Sequence, residues 1–305
     1  MIRSALIGTP RRLAEQNGFA LRITLVLVTG VAWGSSVAVH RLGILEAPPL
    51  VFVSLRLGVA TLAFAIALVA IQGRLPSDGR TRRDIALIGV TATGVPLVAG
   101  TFALLFMSAG MLAIFLSLAP LLTAIMAHLW LSDERLSLRR AAGLTAALGG
   151  VVFLLGTGTT GLGTAPDWRG PALASAGALF AAGSAVYTRR RLRGVDALAV
   201  AAGQTAVGLV VVVPIALAVG GVDLSEFTLR GWFAVLYTGL VGSFLGFLVY
   251  FTIIRRFGAT TGLLPTYLMP LASGLIGMAI LGEVVTLPLV AGGGLVLSGV
   301  YLGSR

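Results

Sequence analysis

Few side chains in this sequence could do chemistry on a bound molecule. The acidic residues are Glu15, Glu46, Asp78, Asp84, Asp133, Glu134, Asp167, Asp196, Asp223, Glu226 and Glu283, and each lies between apolar runs or at the end of one. No two carboxylates share a helix face inside a run, so a general acid–base pair is not on offer. His40 and His128 both fall near the ends of apolar runs, where a packed or interfacial ring is the expected role. Two separated histidines do not make a metal site. The chain has no cysteine, which removes thiol nucleophiles, disulfides and Cys-based metal sites. No Gly-x-Ser-x-Gly elbow occurs. The expectation is a protein that is not an enzyme and uses neither a metal nor a cofactor.

Arg56 stands apart, because it is the one charge inside an apolar run. It follows Pro48 by eight residues, about 12 Å along a helix. An arginine at the centre of a bilayer costs about 2.5–3.5 kcal/mol on insertion scales, so something must offset it. A substrate carboxylate could do so, and so could backbone carbonyls at a kink; the sequence leaves both open. One cation suits a zwitterion or a neutral polar metabolite, whereas a phosphate ester would call for several arginines. Other groups could line the same space. Trp33 and Ser36 share a helix face, Thr93, Ser243 and Tyr250 fall on faces rich in small residues, and Thr266 and Tyr267 lie between Pro265 and Pro270. Such a set could hold an aromatic or apolar side chain, although small residues also serve helix packing in membranes.

The elements that position these groups follow from composition. Hydrophobic residues make up 57% of the chain and charged residues 11%, too few charges to cover a soluble surface. Apolar runs occupy 23–39, 50–71, 141–156, 170–188, 197–220, 231–254, 257–282 and 287–304. The stretch 85–132 has no Asp, Glu or Arg and would be roughly 72 Å long as one helix, more than twice a bilayer core. It must fold back, and Ser108-Ala109-Gly110 offers the best turn. Ten transmembrane helices result.

All of the basic residues are arginines, and the net charge is +11. With the N-terminus in the cytoplasm, 18 arginines fall on the cytoplasmic side, in the clusters 3–22, 74–83, 135–140, 189–193, 255–256 and at 305. Three, Arg41, Arg169 and Arg230, fall opposite. This is a strong positive-inside pattern and argues against nucleic acid as the reason for the basic charge. The expectation is a multi-pass protein of a bacterial inner membrane with both termini cytoplasmic. Residues 1–22 resemble the charged start of a signal peptide, but the many runs that follow favour an uncleaved first span.

The chain also repeats itself. Leu118-Ala119-Pro120-Leu121, Leu131-Ser132-Asp133-Glu134, Gly143 and Gly150-Val151 match Leu268-Met269-Pro270-Leu271, Leu281-Gly282-Glu283, Gly292 and Gly299-Val300. Gly89, Thr93, Pro96 and Gly100 match Gly239, Ser243, Gly246 and Tyr250, and Gly34-Ser35 matches Gly183-Ser184. A repeat of five spans is odd-numbered, so its second copy enters the membrane from the opposite side. The expected fold is all-α: two inverted five-helix repeats, 23–157 and 168–304, around a central cavity, after a cytoplasmic segment 1–22. Inverted repeats are typical of secondary transporters, with the substrate near the midplane between them. Pro120 and Pro270 would kink their helices, free the carbonyls of Leu116 and Thr266, and act as gates.

Trp33-Gly34-Ser35-Ser36, Arg56 and the paired proline–glutamate–glycine patterns resemble the EamA-like drug/metabolite transporters over nearly the whole chain. Within that superfamily the chain resembles a YddG-type amino-acid exporter. The resemblance implies a ten-helix transporter for a small molecule, with Gln204 standing where a second copy of Arg56 would fall. The function expected is secondary transport of small amphipathic metabolites, amino acids with aromatic or other large apolar side chains among them. A multidrug or nucleotide-sugar-like carrier is the alternative of the same class. A non-transporting scaffold or sensor is the alternative of another, although the longest tail is only the first 22 residues. With no carboxylate inside a span to carry a proton, facilitated or substrate-gradient-driven flux is expected. The partners expected are the substrate and lipid, and a monomer suffices.

Overall fold

The computed structural model describes residues 9–130, 138–158, 160–163, 165, 167–220, 227–257 and 259–304. Residues 1–8 of the N-terminal segment, the repeat-motif stretch 131–137 with Asp133 and Glu134, and Asp223 and Glu226 lie outside them. The described residues form helices and connections, with no strand.

Helix α1 covers Thr9–Ile44 and α2 covers Pro49–Ala70, with Pro49 opening α2 where a missing N–H is harmless. Helix α3 (Gly79–Ala103) begins on Asp78, which accepts from the N–H groups of Arg80 and Thr81. It passes through a π segment, Gly89–Gly94. Pro96 follows two residues later and has no N–H for the carbonyl of Ala92, which favours the wider register there. The uncharged stretch does fold back: α3 ends at Ala103, and α4 (Ala109–Trp130) starts on Ser108, whose Oγ accepts from the Met111 N–H at 3.1 Å.

The remaining helices are α5 (Leu138–Gly156), α6 (Arg169–Arg191), α7 (Ala197–Gly220), α8 (Leu229–Phe257), α9 and α10 (Leu287–Ser304). Helix α8 carries its own π segment, Thr238–Leu245. Helix α9 is composite: Ala259–Leu263, a 3₁₀ turn Leu264–Tyr267, then Met269–Leu281. The prolines break their helices rather than bending them. Pro120 is the second residue of the α4 piece Ala119–Trp130, and Pro270 the second of Met269–Leu281. A proline is harmless in the first turn of a helix and disruptive in its interior, so these two helices restart at their prolines, whereas α7 runs on through Pro214.

Seven helices, α1 from Ala20, α2, α3, α4, α7, α8 and α9, are long and apolar enough to cross a membrane. Helices α5 and α10 hold shorter apolar stretches, Thr145–Gly156 and Leu287–Gly299, and α6 is rich in Ala, Gly and Ser. Large apolar side chains such as Leu62, Ile66, Val69, Val152, Leu217 and Val290 lie on the outside, a surface suited to lipid and not to water.

The closest helix pairs are α2–α7, α4–α9, α5–α10, α1–α8, α3–α6, α2–α8, α3–α7, α1–α9 and α4–α6. Shifting every helix by five places, with α6 returning to α1, turns this set of pairs into itself. The repeated glycines explain one pair. A Cβ on Gly150 would lie 2.7 Å from the Val296 side chain and 2.9 Å from the Gly292 carbonyl, and one on Gly299 would meet the backbone of Gly143 and Ala147. These glycines bring α5 and α10 together backbone to backbone.

Candidate functional site

A cavity of about 180 Å³ runs between the helices. Among the described residues its walls come from α1, α2, α3, α4, α6, α7, α8 and α9, and α5 and α10 contribute none. Most of the lining is apolar: Val37, Leu97, Leu104, Leu112, Leu116, Phe247, Leu263 and Met269. On α1 the contributors are Trp33, Ser36, Val37 and His40, a single stripe at spacings of three, four and seven.

The aromatic wall is fixed from both sides. Trp33 donates through Nε1 to the Gly242 carbonyl at 3.1 Å, an acceptor in the π segment of α8. Its ring lies 5.4 Å from that of Tyr250 and 6.4 Å from that of Phe247. A Cβ on Gly246 would collide with the Trp33 indole. Only a glycine at that point of α8 lets the indole come this close to the helix.

Arg56 reaches in from α2 and is buried, 7% exposed. Its Nε donates to Ser243 Oγ at 2.9 Å, and its Nη1 donates to His40 Nδ1 at 2.8 Å. The other ring nitrogen of His40 lies 2.9 Å from Thr101 Oγ1, and that hydroxyl donates to the Leu97 carbonyl at 2.5 Å. This chain of donors sets the tautomer. Thr101 donates its one hydroxyl hydrogen bond to Leu97, so His40 must donate from Nε2, and Nδ1 is left to accept from Arg56. The Phe52 ring meets His40 edge-on at 4.7 Å and holds it in place. Among the described residues no carboxylate pairs with Arg56. Its Nη2 stands beside Ser36 across Gly242, where a Cβ would lie 3.0 Å from Nη2. Ser36 and Gln204 both line the cavity, and their Oγ and Oε1 atoms are buried with no hydrogen-bond partner among the described residues.

Of the sequence candidates, the structure brings Trp33, Ser36, Arg56, Gln204, Tyr250 and Thr266 to this cavity. Ser243 stands behind the wall as a ligand of Arg56. Thr93 does not line it. The π segment rotates α3, so that Ala92, Pro96 and Leu97 face inward while Thr93 lies against Gly208 of α7. Tyr267 also turns away and packs on the apolar core around Phe52 and Phe115. His40 and Thr101 are the residues that sequence reasoning missed. The apolar run ends at Val39, whereas α1 continues to Ile44 and puts His40 inside. Its spacing of seven from Trp33 was the available signal.

Next in sequence to the cavity-lining His40, Arg41 approaches Glu283, just beyond α9, with Nε 3.4 Å from Oε1. Burial pushes the Glu283 carboxyl above its ordinary range, against the opposing pull of the Ala109 and Gly110 N–H groups and of Arg41.

Comparison with known proteins agrees with this geometry. The uncharacterized transporter YoaV of Bacillus subtilis is 20% identical over 91% of this chain and 94% of its own length. YvbV of the same organism, another uncharacterized transporter, is 29% identical over 96% and 93%. A protein of Streptantibioticus cattleyicolor named "Probable terminal-alkyne amino-acid exporter" is 27% identical over 92% of both chains. A solved crystal structure, 21% identical, superposes with a TM-score of 0.68 over 92% of this chain and 97% of the other, which shows a shared fold. The EamA-like transporter family matches twice, at residues 20–156 and 168–305. With both halves of the chain matched and a helical bundle built around a walled cavity, the protein is a multi-pass membrane transporter that belongs to the EamA-like transporter family.

Proposed function

We propose that the chain exports small amphipathic metabolites bearing one carboxylate, above all amino acids with aromatic or other large apolar side chains, by alternating access. The observation that carries this reading is Arg56. It is a buried cation with only neutral partners among the described residues, and its Nη2 stands beside a free serine hydroxyl at the wall of an apolar, aromatic cavity. A carboxylate accepting from Nη2 and Ser36 would satisfy both, with an apolar side chain against Trp33, Tyr250 and Phe247. The orphan Gln204 Oε1 suits a donor such as an ammonium group. A diphosphate finds no second cation among the described lining residues.

The same reading takes the ten helices as ten crossings, arranged as inverted units 23–157 and 168–304. The matched motifs, the family match in each half and the packing set that maps onto itself support it. Both termini lie in the cytoplasm of a bacterial cell, as the arginine distribution favours. The breaks before Pro120 and Pro270 act as hinges.

Counterflow in proteoliposomes tests the proposal. Vesicles loaded with tryptophan, phenylalanine or leucine should accumulate the labelled amino acid transiently, with or without a pH gradient. If no amino acid drives counterflow while a cationic dye or a nucleotide sugar does, the proposal is wrong.

A further inference from the structure

We infer that Arg41 and Glu283 are working residues of the transport cycle: they form a gate that closes one end of the cavity in this structure. Arg41 directly follows His40, and Leu112 stands one turn, about 6 Å, from Ser108; His40 and Leu112 both line the cavity. The closure therefore begins where the cavity stops.

Its parts come from distant stretches of chain. Glu283 Oε1 accepts from the Ala109 N–H at 2.8 Å, at the start of α4, and faces Arg41 Nε at 3.4 Å. Arg41 Nη1 donates to the Met107 carbonyl at 2.6 Å. The connection between α5 and α6 joins in: the Val284 N–H donates to the Gly161 carbonyl at 3.1 Å, and the Ser108 N–H to the Thr160 carbonyl at 2.8 Å. Two left-handed glycines make this approach possible, Gly161 at φ 72° and Gly282 at φ 64°. Gly282 ends α9 and turns the chain so that Glu283 points back at α4.

One carboxylate thus joins the end of α1 and the start of α4 to the end of α9. A substrate leaving by this end must part these three, and the side chains that hold them are charged. That choice fits a gate. An ion pair in a partly buried place is nearly balanced between mutual attraction and the water both partners regain on separation. An apolar seal of equal size has no such compensation when it opens. Of the three arginines opposite the basic clusters, Arg169 is held by Asp167 at 2.6 Å and by the Phe106 ring at 4.2 Å. Arg41 likewise has a specific partner, one that spans the two halves of the chain.

The absence of cysteine makes the test clean. Leu104→Cys places a reporter on the cavity wall near this end, and Leu45→Cys places one on the exposed connection after α1. A membrane-impermeant maleimide is added from either side of the membrane. Leu104→Cys should react slowly in the otherwise native chain. It should react about tenfold faster, from the face opposite the termini, once Arg41→Met or Glu283→Gln is added, the factor that about 1.4 kcal/mol of weakened closure corresponds to. The two changes together should add little beyond either alone, because they break one contact. Leu45→Cys should react equally in all. If either variant fails to fold, Arg41→Lys and Glu283→Asp carry the same comparison with a smaller rise. Equal Leu104→Cys rates in the native background and in every folded variant would overturn the gate. The readout needs no substrate, so the amino-acid reading can fail while the gate stands.

Discussion

Replacing Arg56 should separate function from stability. The guanidinium gives two hydrogen bonds to neutral groups, His40 Nδ1 and Ser243 Oγ, and has no anion among the described residues. In Arg56→Met a bound carboxylate loses a charge-assisted bond of about 1.5–3 kcal/mol, so the apparent affinity should fall roughly tenfold to a hundredfold. The folded protein faces opposing changes. Leaving His40 Nδ1 without a donor costs about 1–3 kcal/mol. Removing a lone cation from the membrane interior returns about 2.5–3.5 kcal/mol on insertion scales. The two nearly cancel, so Arg56→Met should unfold within a few degrees of the parent. Arg56→Met/His40→Leu removes the orphaned nitrogen as well, and should unfold at or above the parent temperature while transport stays impaired. Counterflow of labelled tryptophan across a concentration series gives the affinity, and thermal unfolding in detergent gives the stability. Unchanged affinity in Arg56→Met, together with a double variant destabilised by more than about 3 kcal/mol, would mean that Arg56 only holds α2 to α1 and α8.

Other variants probe the surrounding wall. His40→Asn keeps an acceptor for Arg56 where Nδ1 stood and should retain most of the transport, whereas His40→Leu should lose about tenfold in affinity by letting the guanidinium wander; paired counterflow curves decide it. Gly242→Ala would push its methyl group onto Ser36 and Arg56 Nη2, so counterflow should fall by an order of magnitude or so while membrane expression persists, which blotting checks. Pro270→Ala should let α9 run on through the 3₁₀ turn, changing the rate of counterflow more than the amount of protein; equal rates would count against the hinge. Gly150→Leu should lower the unfolding temperature without touching the cavity, because its side chain would enter the α5–α10 contact.

Composition and run lengths made the helical, membrane-embedded class legible, and the fold-back at Ser108 could be read from length alone. The cavity stripe on α1 was legible because Trp33 and Ser36 follow ordinary helical spacing. Thr93 was misplaced for a physical reason. Projection at 3.6 residues per turn fails across Gly89–Gly94, where the turn is wider, and no local sequence rule announces a π segment. The proline breaks were half legible: the positions were plain, but a kink and a restart differ only in how the neighbouring turn is packed. The Arg41–Glu283 contact was hidden by 242 residues of separation, since a charge at a helix end reads as solvated until the fold supplies its partner. Glu283 was visible as part of a repeated motif, but its chemistry was not.

The irregular backbone has a common location. Helices α3 and α8 carry π segments, and α4 and α9 are broken before a proline. All four line the cavity together with α1, α2, α6 and α7, whereas the described residues of α5 and α10 do not. Backbone groups freed inside a bilayer must find partners, and facing lipid they would find none. Beside a cavity they can be used: the Gly242 carbonyl of the α8 π segment accepts a hydrogen bond from the Trp33 indole N–H. The same irregularities weaken helices at the points where a wall would need to bend, while the tight glycine contact of α5 with α10 keeps a rigid strut beside them. Site and hinge thus draw on one local property, a helix that has given up part of its own hydrogen bonding. The residues that bind cargo and those that let the wall move are therefore expected to interleave along α3, α4, α8 and α9 rather than to occupy separate parts of the molecule.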